Sequence, residues 1–184
     1  MIQPCECGGG ISLVPMNLRL RPYVRDDKTV VLGANDVAMA AGEYMLLGYA
    51  PEMTWDDFLA YIGEQRLGLH HSQYAVRSAQ LAAEVDGDIV GRASVRFELN
   101  DFFASQGGHI GYYVLPEFRG RGYASEILRQ SVILARAEGV GPVLMYCSDD
   151  NVGSIKVIER NGGVLDDVAT SDDGSFMARR YWIP

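Results

Sequence analysis

Residues 119–128 read RGRGYASEIL. Two arginines and two glycines stand directly ahead of a run with helical apolar spacing, and the strand-like HIGYYVLP of residues 109–116 comes just before them. Glycine at 120 and 122 lets the chain turn tightly and bring its backbone N–H groups against a ligand. The helix that follows begins with unpaired N–H donors and the positive end of its dipole. That combination makes an anion site, and phosphate is its most natural occupant. Arg119, Arg121, Arg129 and Arg136, set against Glu117 and Glu126, make this stretch locally positive in a chain of formal net charge −8.

Working outward, residues 108–115 read as a strand, Tyr123–Glu138 as a helix closed by Gly139, and 142–148 as a short buried strand. A helix over Val152–Arg160 stops at Asn161-Gly162-Gly163, and two strands cover about 164–169 and 175–182. Upstream, LRLRPY (18–23) alternates apolar and basic residues and reads as a strand. Two helices follow, near 34–42 and 54–67, the second with Thr54 as N-cap and Trp55, Phe58, Leu59 and Ile62 on one face. Residues 80–99 read as an antiparallel hairpin turning at Asp86-Gly87-Asp88. The expected fold class is therefore α/β of the α+β kind: a mixed, mostly antiparallel twisted sheet of about six or seven strands, flanking helices, and a central β-α-β unit.

With 184 residues, 48% of them hydrophobic, the chain suits one globular domain with its own core. Residues 1–15 carry three consecutive glycines and no periodicity, so they read as a disordered leader before a domain over 16–184, with Met16 a candidate start. No apolar run approaches a membrane span and no signal-peptide pattern opens the chain, which implies a cytoplasmic protein without a membrane partner. The acidic balance opposes nucleic acid as a partner, because neutralising its backbone needs a basic face. Cys5, Cys7 and Cys147 make an odd count that fits reduced thiols. A C-x-C pair can ligate metal, but no second pair follows at ligand spacing, so no metal is expected.

Two phosphate-binding loops are readily set aside. A Walker loop needs Lys-Ser or Lys-Thr after the glycines, and neither is there. Gly120, Gly122 and Ser125 come near a dinucleotide fingerprint. However, Pro116-Glu117-Phe118-Arg119 separates them from the strand, and the chain beyond is too short for the rest of that fold.

The order strand, LPEFRGRGYAS, helix, strand, DDNVGS, helix, NGG resembles the GNAT superfamily of acetyl-coenzyme-A-dependent N-acetyltransferases. Its Q/R-x-x-G-x-G/A signature is matched by Arg119, Gly122 and Ala124, preceded by Val114 and Pro116 and followed by Ser125 and Leu128. The resemblance spans about 17–184 and is most specific over 108–163, where it is similar to the branch of unassigned substrate. It implies that acetyl-CoA is the cofactor, with its pyrophosphate on the backbone of Arg119, Gly120, Arg121, Gly122, Tyr123, Ala124 and Ser125 and the two arginine side chains nearby. It further implies that the strand ending at Val114 carries a bulge and splays from the 142–148 strand. Pantetheine would lie in the gap against the backbone of Tyr112, Tyr113 and Val114, the Val114 N–H would polarise the thioester, and Asn151 and Ser154 would hold the arm.

The implied reaction is direct attack by a neutral amine of a small molecule or peptide, and a homodimer is compatible with it. Many relatives carry a tyrosine as general acid seven residues after the asparagine, where this chain has Ile158. Tyr112, Tyr113 and Tyr146 lie on the strands beside the gap, and of these Tyr112 is the candidate acid. Where some relatives have a carboxylate base this chain has Gly108, leaving His109 and, on the preceding strand, Glu98 as candidate bases. Cys147 could accept acetyl in a two-step route, although cysteine in an apolar strand is usually inert packing. A cofactor-sensing module without turnover is the alternative reading.

Overall fold

The computed structural model describes residues 17–70, 74–170, 174 and 177–184. The leader expected over 1–15 lies outside the described residues. In chain order the elements are β1 (Leu18–Pro22), a 3-10 turn (Arg25–Asp27), α1 (Lys28–Ala40), α2 (Trp55–Arg66), β2 (Ser78–Val85) and β3 (Asp88–Arg96). There follow a π-helical turn (Phe103–Gly107), β4 (Ile110–Val114), a 3-10 turn (Pro116–Phe118), α3 (Tyr123–Ala137), β5 (Val143–Ser148), α4 (Val152–Arg160), β6 (Val164–Thr170) and β7 (Met177–Ile183). They build an α+β fold with two antiparallel sheets, ordered β1-β2-β3-β4 and β5-β7-β6. Among the described residues no helix is long and apolar enough to cross a membrane.

Local chemistry sets most boundaries. Asp86 and Gly87 both take positive φ, 51° and 96°, as a tight hairpin turn between right-twisted strands requires. Thr54 caps α2 reciprocally: its hydroxyl accepts the Asp57 N–H at 3.2 Å, and the Asp57 carboxylate accepts the Thr54 N–H at 3.3 Å. Helix α1 starts at Lys28, well ahead of the expected start near 34. Thr29-Val30-Val31 looks strand-like in isolation, but Val31, Asn35 and Ala38 share a buried face, and Asn35 Oδ1 accepts the Leu46 N–H at 3.0 Å.

Both faces of the four-stranded sheet are covered. Ile110, Tyr112 and Val114 of β4 pack with Ile127, Leu128 and Val132 of α3, in a core that extends to Met145 and Tyr181 of the second sheet. Tyr113 and Leu115 alternate to the other face and meet Val31, Trp55, Phe58 and Ile62 of α1 and α2. At the far end of α3, Arg66 and Arg77 pair with Glu138, holding its carboxyl down at about 2, and both stack on Phe97 at 4.5 and 4.8 Å.

The two sheets touch at one corner. The His109 N–H donates to the Leu144 carbonyl at 2.8 Å, and the Leu144 N–H donates to His109 Nδ1 at 2.9 Å. Gly108 makes this possible, because it has φ 63° and a Cβ there would lie 2.5 Å from the Leu144 oxygen. Beyond the corner β4 and β5 form no ladder, so a wedge opens between them. The bulge expected on β4 is absent from it: its pairing with β3 runs unbroken from Ile110 opposite Val95 to Val114 opposite Gly91. The register break lies next door, where Ala83 faces Gly91 and Glu84 faces Ile89, leaving Val90 as the extra residue. The glycine corner ties β4 to β5 at one end only, and the strands part beyond it without a bulge in β4.

Candidate active site

The wedge holds a cavity of about 420 Å³ lined by Tyr112, Tyr113 and Val114 of β4, by the loop and helix start between Phe118 and Ser125 except Arg121, and by one face of α4 from its Asn151 cap to Arg160. The loop is shaped by Gly120 at φ 78° and Gly122 at φ 85°, both in the left-handed region that glycine adopts freely. Among the described residues, none of the backbone N–H groups of residues 120–124 has an acceptor within the chain. Only at Ser125 and Glu126 do the N–H groups turn back, to the Gly122 carbonyl at 3.1 and 3.3 Å. Five consecutive donors are therefore left unpaired at the positive end of α3.

The arginine side chains do not join them. Arg119 braces the loop to the strand, its Nε donating to the Val114 carbonyl at 2.9 Å and its Nη2 pairing with Glu43 at 2.7 Å. Arg121 donates to the Glu117 carbonyl at 3.0 Å, lies 5.4 Å from the Phe118 ring centre, and is not part of the cavity wall. Arg119 is on the cavity wall with its charge already paired, and Lys156 and Arg160 of α4 are the further cations that line it. With Gly153 and Val157 they recur at helical spacing of three and four residues, and this spacing is the sequence signal that could have found them. Glu43, from the turn after α1, carries no such signal.

On β4 the hydrogen-bonding alternation decides which backbone groups face the wedge. Arg96 N–H bonds the His109 carbonyl and Leu115 N–H bonds the Val90 carbonyl, so the odd-numbered residues between them pair with β3. Tyr112 and Val114 then present their N–H groups to the open side. Asn151 caps α4, its Oδ1 accepting the Ser154 N–H at 2.9 Å, which leaves the amide NH₂ to donate elsewhere.

Of the candidate acids and bases, Tyr112 alone lines this cavity. Its hydroxyl is enclosed beside Ser154 but outside hydrogen-bond geometry with it, and burial pushes its pKa up to about 12. Ile158 is fully buried in the core, so no titratable group stands at that position. Glu98 is exposed and accepts the Arg77 N–H at 3.2 Å. Cys147 is half-buried, and burial pushes its thiol up to about 11, well away from the thiolate that an acetyl-cysteine route needs. Asp149 and Asp166, which could attract an amine, are paired with Arg179 and Arg180.

His109 belongs to the corner. Its Nδ1 accepts a backbone N–H and so must be unprotonated, and burial followed by the Arg96 charge lowers its pKa below the usual 6.5. His109→Gln is therefore expected to change kcat/KM by only a few-fold and to keep the shape of the pH–rate profile. Because the folded state binds this proton less readily than the unfolded one, the wild-type protein should lose stability as pH falls through 6.5 and below, and the variant should lack that component. Thermal melts across this range check the second expectation. A variant whose acid limb disappears would return the histidine to the reaction.

Residues 17–164 match the family model of the acetyltransferase (GNAT) domain. None of the curated proteins matches the sequence. Solved structures of similar fold include the microcin C7 self-immunity acetyltransferase MccE in complex with acetyl-CoA and AMP, at 18% identity and TM-score 0.62, covering 94% of this chain and 98% of that one. An N-acetyltransferase from Staphylococcus aureus Mu50 aligns at 18% identity and TM-score 0.58, covering 90% and 96%. Mutant forms of the spermidine/spermine N-acetyltransferase SpeG from Vibrio cholerae align at 14% identity and TM-score 0.59, covering 91% and 93%. At such identities the likeness speaks for the fold.

Proposed function

The chain belongs to the GNAT acetyltransferase family, whose cofactor is acetyl-CoA, and from that premise we propose that it transfers acetyl to a primary amine of a small molecule or peptide by direct attack. The observation that carries this reading is the row of unpaired N–H groups over residues 120–124, a cradle suited to a pyrophosphate. Lys156 and Arg160 would add charge for the remaining phosphate, and the NH₂ of Asn151 would reach the pantetheine arm. When bound, the cofactor supplies an acyl group activated as a thioester. The outward N–H groups of Tyr112 and Val114 would bind the arm and polarise its carbonyl. Tyr112, protonated across the working pH range, would give its proton to the departing sulfur. Glu43 is the carboxylate of the cavity but is engaged by Arg119, so the proton of the attacking amine passes to water.

The test is thiol release from acetyl-CoA by the whole protein against aliphatic, aromatic and peptide amines. Amine-dependent release is expected. Tight acetyl-CoA binding with no release across the panel would make the chain a sensor of its cofactor instead.

A further inference from the structure

On the sheet face that packs α1 and α2, alternation along β3 sets Arg92, Ser94 and Arg96 in one row. Among the described residues neither arginine has a carboxylate partner, whereas Arg21, Arg77, Arg119 and Arg179 each have one. Arg92 donates its Nε to the Tyr44 carbonyl at 3.1 Å, and its Nη1 is enclosed without a hydrogen bond. Arg96 donates to the Gly108 carbonyl at 3.0 Å and stacks on Phe103 at 4.0 Å. Burial, and then repulsion from Arg92, lowers its pKa to about 10. Two partly buried guanidinium groups side by side without a counter-charge weigh against a fold, and an anionic ligand would offset that cost.

There is room for one. A second cavity of about 260 Å³ is lined by Ser94, Arg96 and Gln80 on the sheet and by Tyr61, Phe102 and Phe103 around it. Ser94 lies directly opposite Gly111 of β4, where a Cβ would meet nothing closer than Arg92 Nη1 at 3.6 Å. Gly111 is part of the strand that borders the wedge, so Ser94 on the wall of this cavity is the cross-strand neighbour of that strand. Arg96 stands two residues beyond Ser94 along β3, roughly 7 Å away.

Resting on the acetyltransferase reading, we propose that this cavity is the acceptor site and that the acceptor is an amine carrying a carboxylate, which Arg96 binds while the amine reaches the strand at Gly111. The Arg96 guanidinium is held at Gly108, three residues and so roughly 10 Å along the strand from Gly111, a span that a dipeptide or an ω-amino acid fills with its carboxylate at hydrogen-bond distance from the arginine. The aromatic wall suits an apolar side chain beside the carboxylate. A polyamine would meet the uncompensated Arg96 on the cavity wall, with Arg92 beside Gly111, and be repelled.

Glycyl-L-phenylalanine and glycyl-L-phenylalaninamide share the amine and the ring and differ in the carboxylate. The wild-type protein should acetylate the acid with kcat/KM roughly 10- to 100-fold above the amide, the scale of one charge-assisted Arg–carboxylate pair. Spermidine should be poorer than either. Arg96→Met should erase the preference by raising KM for the acid alone, and Arg96→Lys should keep part of it. Calorimetric titration of the acetylated acid and amide into the protein, with and without coenzyme A, gives a readout independent of turnover and should show the same preference. Equal affinities, or a preference for spermidine, overturn the acceptor site while coenzyme A binding stands. Loss of coenzyme A binding with the acid preference intact overturns the acetyltransferase reading instead. The wild-type comparison decides alone, so a poorly folded variant does not weaken it.

Discussion

Gly122→Val is expected to lower coenzyme A affinity by roughly 10²- to 10³-fold while leaving a folded protein. Gly122 holds φ 85° at the start of α3, a conformation that a β-branched residue adopts only under strain. The loop would relax to negative φ and re-aim the unpaired N–H groups of residues 120–124. Losing even two charge-assisted bonds, at about 1.5–3 kcal/mol each, accounts for a change of this size. Gly139→Val is the matched control, since Gly139 closes the same helix at φ 89° with open space around it. Both variants should lose similar stability in thermal melts, and only the first should lose affinity in calorimetry. If Gly122→Val binds coenzyme A as the wild type does, the backbone cradle is not the phosphate site.

Tyr112→Phe is expected to reduce kcat by about 10²- to 10³-fold with acetyl-CoA affinity nearly unchanged, the usual scale for removing a general acid. The ring would stay packed against the core of β4 and α3, so the loss belongs to the hydroxyl. A phenol raised to about 12 stays protonated well beyond neutral pH, so the wild-type rate should climb as the amine deprotonates and show no basic-limb decline below about pH 10. A variant that retains the wild-type rate would hand the proton to Ser154 or to water.

Much of this fold was legible because its signals are local. The Asn151 cap and the Asn161-Gly162 stop bound α4 as observed, and Asp86-Gly87 fixed the hairpin. The start of α1 was obscured because Thr29-Val30-Val31 prefers strand in isolation, and only burial of Val31 against α2 and the sheet makes it helix. The π-helical turn at Phe103–Gly107 has no period to read.

The site divides in the same way. Its backbone donors follow from Gly120 and Gly122, whose spacing declares a turn of that kind. Its side chains depend on what folding brings alongside. Glu43 claims Arg119, Glu117 holds Arg121, and Leu144 claims the His109 ring, and none of these partners is near in sequence except Glu117. Arg92 and Arg96 carry no local signal, because their surroundings, Tyr44 beside the first and Phe103 beside the second, come from distant parts of the fold or from a turn without a period.

The corner at Gly108 and Leu144 also works as a fulcrum. Val114 lies five residues along the strand from His109, roughly 17 Å, whereas Tyr112 lies roughly 10 Å away. A rotation of about 5° there would move Val114 by roughly 1.5 Å but Tyr112 by only about 0.9 Å. The mouth of the wedge can thus breathe to admit a bulky nucleotide-bearing arm while the throat keeps its calibre. Because Gly108 has no clearance for a side chain, any replacement would act as a shim, prising the Leu144 carbonyl away and widening both at once.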